Sequence, residues 1–169
     1  LTPADVLPRH PGHEQKSVAL LMPLCDRLRI PSDCREVARL VARYHGDIHR
    51  VDELRPSTRL EVLETCDALR RPERFVQILL ACEADYRGRL GWEERAYPQA
   101  KTWQTALAAV RAVDAGAIAR DVMQPAEKLG AADTVPSSPS TAAKPLVIAQ
   151  RIHAARLNAL KALGSPKTY

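Results

Sequence analysis

A chain of 169 residues has the length of one ordinary domain, or of one domain and a tail, and a compact fold of that size buries roughly 70% of its unfolded surface. Hydrophobic residues make up 46% but aromatics only 4%, with seven glycines, a balance that favours helices over a sandwich or barrel. No apolar run approaches the roughly 18 residues of a membrane span, and the first residues lack a basic stretch followed by an apolar one, so a soluble cytoplasmic protein is expected.

In chain order, residues 13–29 carry Val18, Leu21, Cys25 and Leu28 at helical steps, and Pro23 is expected to kink or restart that helix. Residues 33–50 open with Asp33 and Glu36 at capping-box spacing and place Val37, Leu40, Val41, Tyr44 and Ile48 on one face. After a loop ending at Pro56, Thr58 and Glu61 open a helix expected to reach Arg70. Pro72 starts the next, with Phe75, Leu79, Cys82 and Tyr86 inward and an end near Gly88. Pro98 then starts a helix bearing Trp103, Leu107 and Val110, and Asp114 caps a shorter one with Ile118 and Val122; these two are expected to form a hairpin. Residues 130–145 are rich in Pro, Ser, Thr and Ala and are expected to form a flexible loop before a last helix at 146–163. The expected fold is all-α, without strands.

Cys25, Cys34, Cys66 and Cys82 have no CxxC spacing and fall in predicted helices, which suits buried free thiols in a reducing compartment better than zinc ligands or disulfides. His45 and His49 stand four apart on one helix, so both imidazoles project from the same face and form a candidate metal pair beside Asp47 and Asp52. Lys and Arg exceed Asp and Glu by 25 to 20, and this excess suits a polyanionic partner. Arg70, Arg71 and Arg74 crowd a helix start, where positive charge opposes the macrodipole and hints at an outside anion. Neither that cluster nor the basic residues of the last helix are interleaved with aromatics, which points to phosphate contact rather than base stacking.

Three stretches, LTPADVLPRHPGHEQKSV at the start, RYHGDIHRVDELRP at 43–56 and CEADYRGRLGWEERAYPQ at 82–99, carry a further signal. Together the sequence resembles the C-terminal part of a bacterial tRNA nucleotidyltransferase, the CCA-adding enzyme of the multifunctional type. The resemblance implies an incomplete HD-type helical bundle at 1–91 and a small helical tail at 92–169. It implies that the His-Asp-Leu-Gly-Lys stretch preceding the first of these segments in the family, and the nucleotidyltransferase head, lie upstream of Leu1.

By the same resemblance, His13 and His45 match metal-ligating histidines of the HD-type phosphohydrolase site, with His10 and His49 as secondary candidates. Gly46 stands where some members carry aspartate, and Asp47, one residue on, is turned by about 100° and does not replace it. Arg87 and Arg89 of the EAD-x-RGR pattern, with Arg151 and Arg156 of the last helix, are the candidate RNA contacts. The EAD-x-RGR cluster also reads as a set of ion pairs that lock helices together. The implied parent adds CCA to tRNA from CTP and ATP with magnesium, and its HD site takes a divalent metal such as nickel or magnesium. The chain itself offers no residues for nucleotidyl transfer and is expected to be inactive alone and tRNA-orienting. The alternatives are a stand-alone metal-dependent phosphohydrolase and a non-catalytic helical interaction module. Apolar faces left open on the first helices make a homo-oligomer a further expectation.

Overall fold

Proline and two left-handed residues set where these helices begin and end. The computed structural model describes residues 12–124 and 143–164. Within them the chain forms α1 (His13–Arg27), α2 (Ser32–His49), a 3-10 turn (Val51–Glu53), α3 (Pro56–Thr65), α4 (Pro72–Arg87), α5 (Gln99–Arg111), α6 (Ala115–Met123) and α7 (Lys144–Ala162). No strand occurs among the described residues, so the all-α expectation holds. The loop expected at 130–145 lies outside the described residues as far as 142; Lys144 and Pro145 already belong to α7.

Several boundaries differ from the sequence reading, each for a local reason. α1 continues through Pro23, and both Pro23 and Ala19, whose carbonyl loses its donor there, are exposed to solvent. It ends when Arg29 turns left-handed at φ 51°, with Arg29 N–H donating to Asp26 O and Ile30 N–H to Cys25 O. α3 ends at Thr65 rather than Arg70 by the same device. Asp67 adopts φ 53°, Asp67 N–H donates to Glu64 O and Ala68 N–H to Leu63 O. Glycine normally marks this motif, and its absence hides both endings from the sequence. The Asp33/Glu36 capping box does not form: α2 starts at Ser32, and Glu36 instead accepts from Arg39 at 2.9 Å. α3 begins at Pro56, two residues before Thr58. Asp114 caps α6 as expected, accepting from Ala117 N–H at 2.8 Å.

α6 packs on α7 rather than closing a hairpin with α5, and α7 also lies against α3 and α5. One apolar cluster results, joining Leu40, Ile48, Leu63, Phe75, Ile78, Trp103, Val110 and Leu160. The core is therefore shared by 1–91 and the residues after it. Phe75 meets Trp103 edge to face, with ring centroids 5.9 Å apart. Cys25, Cys66 and Cys82 are buried, and burial pushes the Cys66 and Cys82 thiols up to about 12. Cys34 corrects the expectation for it, because the first turn of α2 leaves it exposed.

α1 exposes Leu20 and Leu24, its C-cap Leu28 is exposed as well, α4 exposes Leu80, and an open groove of about 820 Å³ runs between α1, α2 and α4 over Leu21, Val37 and Val41. No helix among the described residues is long and apolar enough to cross a membrane.

The C-terminal end of α2 is where the core meets polar backbone. A helix leaves its last carbonyls without intrahelical partners. Here Arg50 Nε donates to Gly46 O at 3.2 Å, and the indole N–H of fully buried Trp103 donates to Ile48 O at 3.1 Å. In the next turn, buried Arg59 donates from Nε to Val51 O at 2.9 Å. Trp103→Phe keeps most of the apolar surface but leaves the Ile48 carbonyl buried without this donor, a change that costs about 1–3 kcal/mol. Thermal unfolding should fall by roughly 2–10 °C for a chain of this size. A midpoint unchanged within about 1 °C would show that the bond contributes nothing.

Candidate functional site

His45 and His49, one turn apart on α2, do share a face, with ring centroids 6.0 Å apart. The first turn of α1 brings His13 to the same place, its Nε2 lying 3.1 Å from His45 Nε2. His10 lies outside the described residues. The histidines predicted as ligands are thus adjacent although 32 positions separate them.

The surroundings decide what each ring nitrogen can do. His45 Nδ1–H donates to Val41 O at 3.2 Å, which leaves Nε2 of the neutral ring as a lone pair facing His13. A hydrogen-bond donor or a cation can satisfy that lone pair. Two imidazole nitrogens on one divalent ion, each about 2.1 Å from it, stand about 3.0–3.4 Å apart, close to the His13–His45 spacing. The pair therefore fits such an ion. Among the described residues, however, no group of three or more His, Cys, Asp and Glu side chains is arranged to hold a metal.

Glu14 completes this end of the site. Its Oε2 lies 3.6 Å from His13 Nδ1, and its Oε1 would stand 3.5 Å from a Cβ added at Gly46. A carboxylate reaching across from α1 thus faces position 46 at ordinary contact distance. Asp47 instead pairs with Arg50 at 3.6 Å. This arrangement was hidden in the sequence because nothing there places residue 14 against residue 46.

His49 is held on both sides. Its Nε2–H donates to Asp85 Oδ2 of α4 at 3.0 Å, and the Tyr97 hydroxyl donates to its Nδ1, also at 3.0 Å. An ionised carboxylate only accepts, so it fixes which nitrogen bears the proton. With both nitrogens engaged, His49 in this conformation links helices rather than offering a ligand. Burial lowers its pKa from the ordinary 6.5, against the opposing pull of Asp85, and burial raises the Tyr97 hydroxyl as well. The neutral, proton-sharing form is therefore the one present at pH 7.

The EAD-x-RGR stretch lies beside this link. Arg87 pairs with Glu83 at 2.8 Å and Arg89 with Asp85 at 3.5 Å, both within four residues, so they stiffen the end of α4 and do not bridge helices. The bridge is Asp85 to His49. Rings continue outward from it: Tyr86 meets Trp92 at 4.7 Å and Tyr97 at 5.1 Å, and the guanidiniums of Arg89 and Arg95 lie 5.2 and 4.4 Å from the Trp92 centroid. Of the chain's seven aromatic residues, Tyr86, Trp92 and Tyr97 fall within twelve positions, and that concentration was the sequence signal for this corner. The remaining predicted arginines are paired elsewhere, Arg151 with Asp121 at 2.6 Å and Arg156 with Glu64 at 3.4 Å.

Fold and site together define a chain that is helical throughout its described residues, with adjacent histidines on α1 and α2 beside a carboxylate–histidine–tyrosine link. Over 128 residues the chain is 56% identical to the Multifunctional CCA protein of Burkholderia cenocepacia, a match covering 76% of this chain and 31% of that protein. It is 60% identical over 119 residues to the Multifunctional CCA protein of Paraburkholderia phytofirmans, covering 70% and 29%, and 58% identical over 127 residues to that of Burkholderia ambifaria, covering 73% and 31%. No family model and no solved structure matches the chain. The chain is thus related to the multifunctional CCA proteins, and it spans less than a third of the length of the curated relatives it matches.

The His49 link has a direct readout. Its proton NMR titration should centre below 6.5, and Asp85→Asn should move it lower still, because the carboxylate that favours the charged ring is gone. Since burial sets the folded pKa below the unfolded one, the stability that rests on a neutral buried His49 is full above pH 6.5 and is lost as pH falls through the folded value, with the Asp85 contact opposing part of that loss. A midpoint at or above 6.5, or no response to Asp85→Asn, contradicts the assignment.

Proposed function

We propose that the chain is the C-terminal part of a CCA-adding tRNA nucleotidyltransferase, with 1–91 belonging to an HD-type phosphohydrolase domain and 92–169 forming a helical tail. The identity to multifunctional CCA proteins supports the parentage. The observation that carries the phosphohydrolase part is the His13–His45 pair, in which the Val41 carbonyl commits the His45 Nδ1 proton and leaves its Nε2 directed at His13 Nε2.

In this reading His13 and His45 hold the cation, with Glu14 against the outer nitrogen of His13, and His10 and His49 are secondary candidates. A bound divalent ion such as nickel or magnesium would polarise a phosphoryl oxygen and lower the pKa of an attacking water. The chain's own residues supply the frame. Val41 O sets the His45 tautomer, Asp85 and Tyr97 lock His49 behind it, and the Glu14 carboxylate faces Gly46 from α1 at ordinary contact distance.

Nucleotidyl transfer with CTP, ATP and magnesium belongs, in this reading, to other parts of the parent, and the chain alone catalyses neither reaction. Its role toward tRNA is orientation in the cytoplasm, with Arg87, Arg89, Arg151 and Arg156 exchanging their carboxylate partners for phosphates on contact. The exposed Leu20, Leu24 and Leu28 stripe is the face through which copies of the chain self-associate.

Calorimetric titration of the chain with nickel tests the cation site. Binding weakened at least about tenfold by His45→Ala, with the fold intact by circular dichroism, is the expected result. Equal affinity in the two proteins would sink the metal assignment. Turnover of a generic phosphate ester by the purified chain, abolished by His45→Ala, would replace this reading with a stand-alone phosphohydrolase.

A further inference from the structure

The arginines of this molecule fall into two kinds by how their charge is matched. Most described pairs are one to one and several are tight: Arg151 on Asp121 at 2.6 Å, Arg35 on Asp26 at 2.7 Å, Arg87 on Glu83 at 2.8 Å and Arg39 on Glu36 at 2.9 Å. At the turn between α3 and α4 the count differs. Arg70, Arg71 and Arg74 all surround the single carboxylate of Asp67, at 3.9, 3.7 and 3.6 Å.

None of those three contacts is short enough to be a hydrogen bond. The guanidiniums of Arg70, 80% exposed, and Arg71, 55% exposed, therefore keep their donors open to an outside group. Arg74 is fixed beneath them, donating from Nη2 to Cys66 O at 3.0 Å, while its buried Nε has no partner. Exposed Glu73 of the first turn of α4 and Glu36, which also acts on Arg74, are set against the cluster, but Glu36 is already bonded to Arg39, so a positive excess remains. The hub is built into the backbone, since Asp67 is the left-handed residue that ends α3 and so turns its carboxylate into the cluster. The start of α4 adds field of the same sign, without a side-chain cap.

We infer that the Asp67–Arg74 turn is a phosphate-docking surface for the backbone of folded RNA. The inference rests on the tRNA reading above and gives it a location that the paired arginines do not. Among the described residues no aromatic ring lies over these guanidiniums, in contrast to Arg89 and Arg95 on Trp92, so the surface meets phosphates and not stacked bases. Asp67 acts there as a brake: it holds the three arginines apart and in place, and it subtracts from their pull on an anion.

The test is the binding of an unmodified tRNA transcript to the purified chain, followed by anisotropy across a series of salt concentrations. Arg70→Gln with Arg71→Gln, both solvent-exposed, should weaken binding about tenfold and make the log–log salt slope shallower by about 2, one for each phosphate no longer neutralised. Asp67→Asn should act in the opposite direction and tighten binding severalfold, asparagine being among the residues that tolerate the left-handed conformation. Affinity and slope unchanged in the double variant, with wild-type binding intact, overturn this inference alone. No salt-dependent binding by the wild-type chain overturns the tRNA reading with it. Displacement of tRNA by poly-glutamate at equal charge would assign the surface to an acidic protein and overturn the RNA assignment.

Discussion

The indole N–H of Trp103 bonded to the Ile48 carbonyl is the constraint on which the site depends. Ile48 lies in the last turn of α2, between His45 and His49, and its carbonyl is one of those that the helix cannot satisfy internally. Burying it against α5 is tolerable only because a donor arrives with the packing. The same contact that closes the core therefore fixes the height and rotation of the turn that carries both imidazoles. Arg50 on the Gly46 carbonyl and Arg59 on Val51 continue the anchoring on either side, so the backbone from Gly46 to Val51 is held by three side chains from outside the α2 ladder.

From that anchored turn the polar side chains form a line with assigned proton positions. Val41 O holds the His45 proton on Nδ1, Asp85 holds the His49 proton on Nε2, and Tyr97 gives its own proton to His49 Nδ1. Within each ring the fixed proton decides where the lone pair points: that of His49 at the Tyr97 hydroxyl, that of His45 at His13. The arrangement couples three helices and the segment before α5 through imidazoles, a phenol and the Asp85 carboxylate. Desolvation favours neutral His49 and Tyr97, because it disfavours charge on the imidazole and on the phenol oxygen alike.

Much of this was legible in the sequence, and the failures have identifiable causes. Helical periodicity located the inward faces of α2, α4 and α5, since Leu40 with Ile48, Phe75 with Leu79 and Trp103 with Leu107 recur at helical steps and are buried. The four-residue spacing of His45 and His49 predicted their shared face. The ends of α1 and α3 were not legible, because Arg29 and Asp67 take a conformation that glycine usually announces. The packing of α6 on α7 instead of α5 is a tertiary choice that local pattern does not encode. Contacts between distant positions were the least accessible, and Glu14 against Gly46 and Tyr97 against His49 belong to that class.

Long-range proton–nitrogen NMR correlation of the imidazoles at neutral pH tests the central claim most directly, because it reads which nitrogen of each ring carries the proton. The account predicts His45 protonated on Nδ1 with a bare Nε2, and His49 protonated on Nε2 with a bare Nδ1. A His45 ring protonated on Nε2 would contradict it by removing the lone pair that faces His13, and a His49 ring protonated on Nδ1 would contradict it by removing the basis of the Asp85–His49 link.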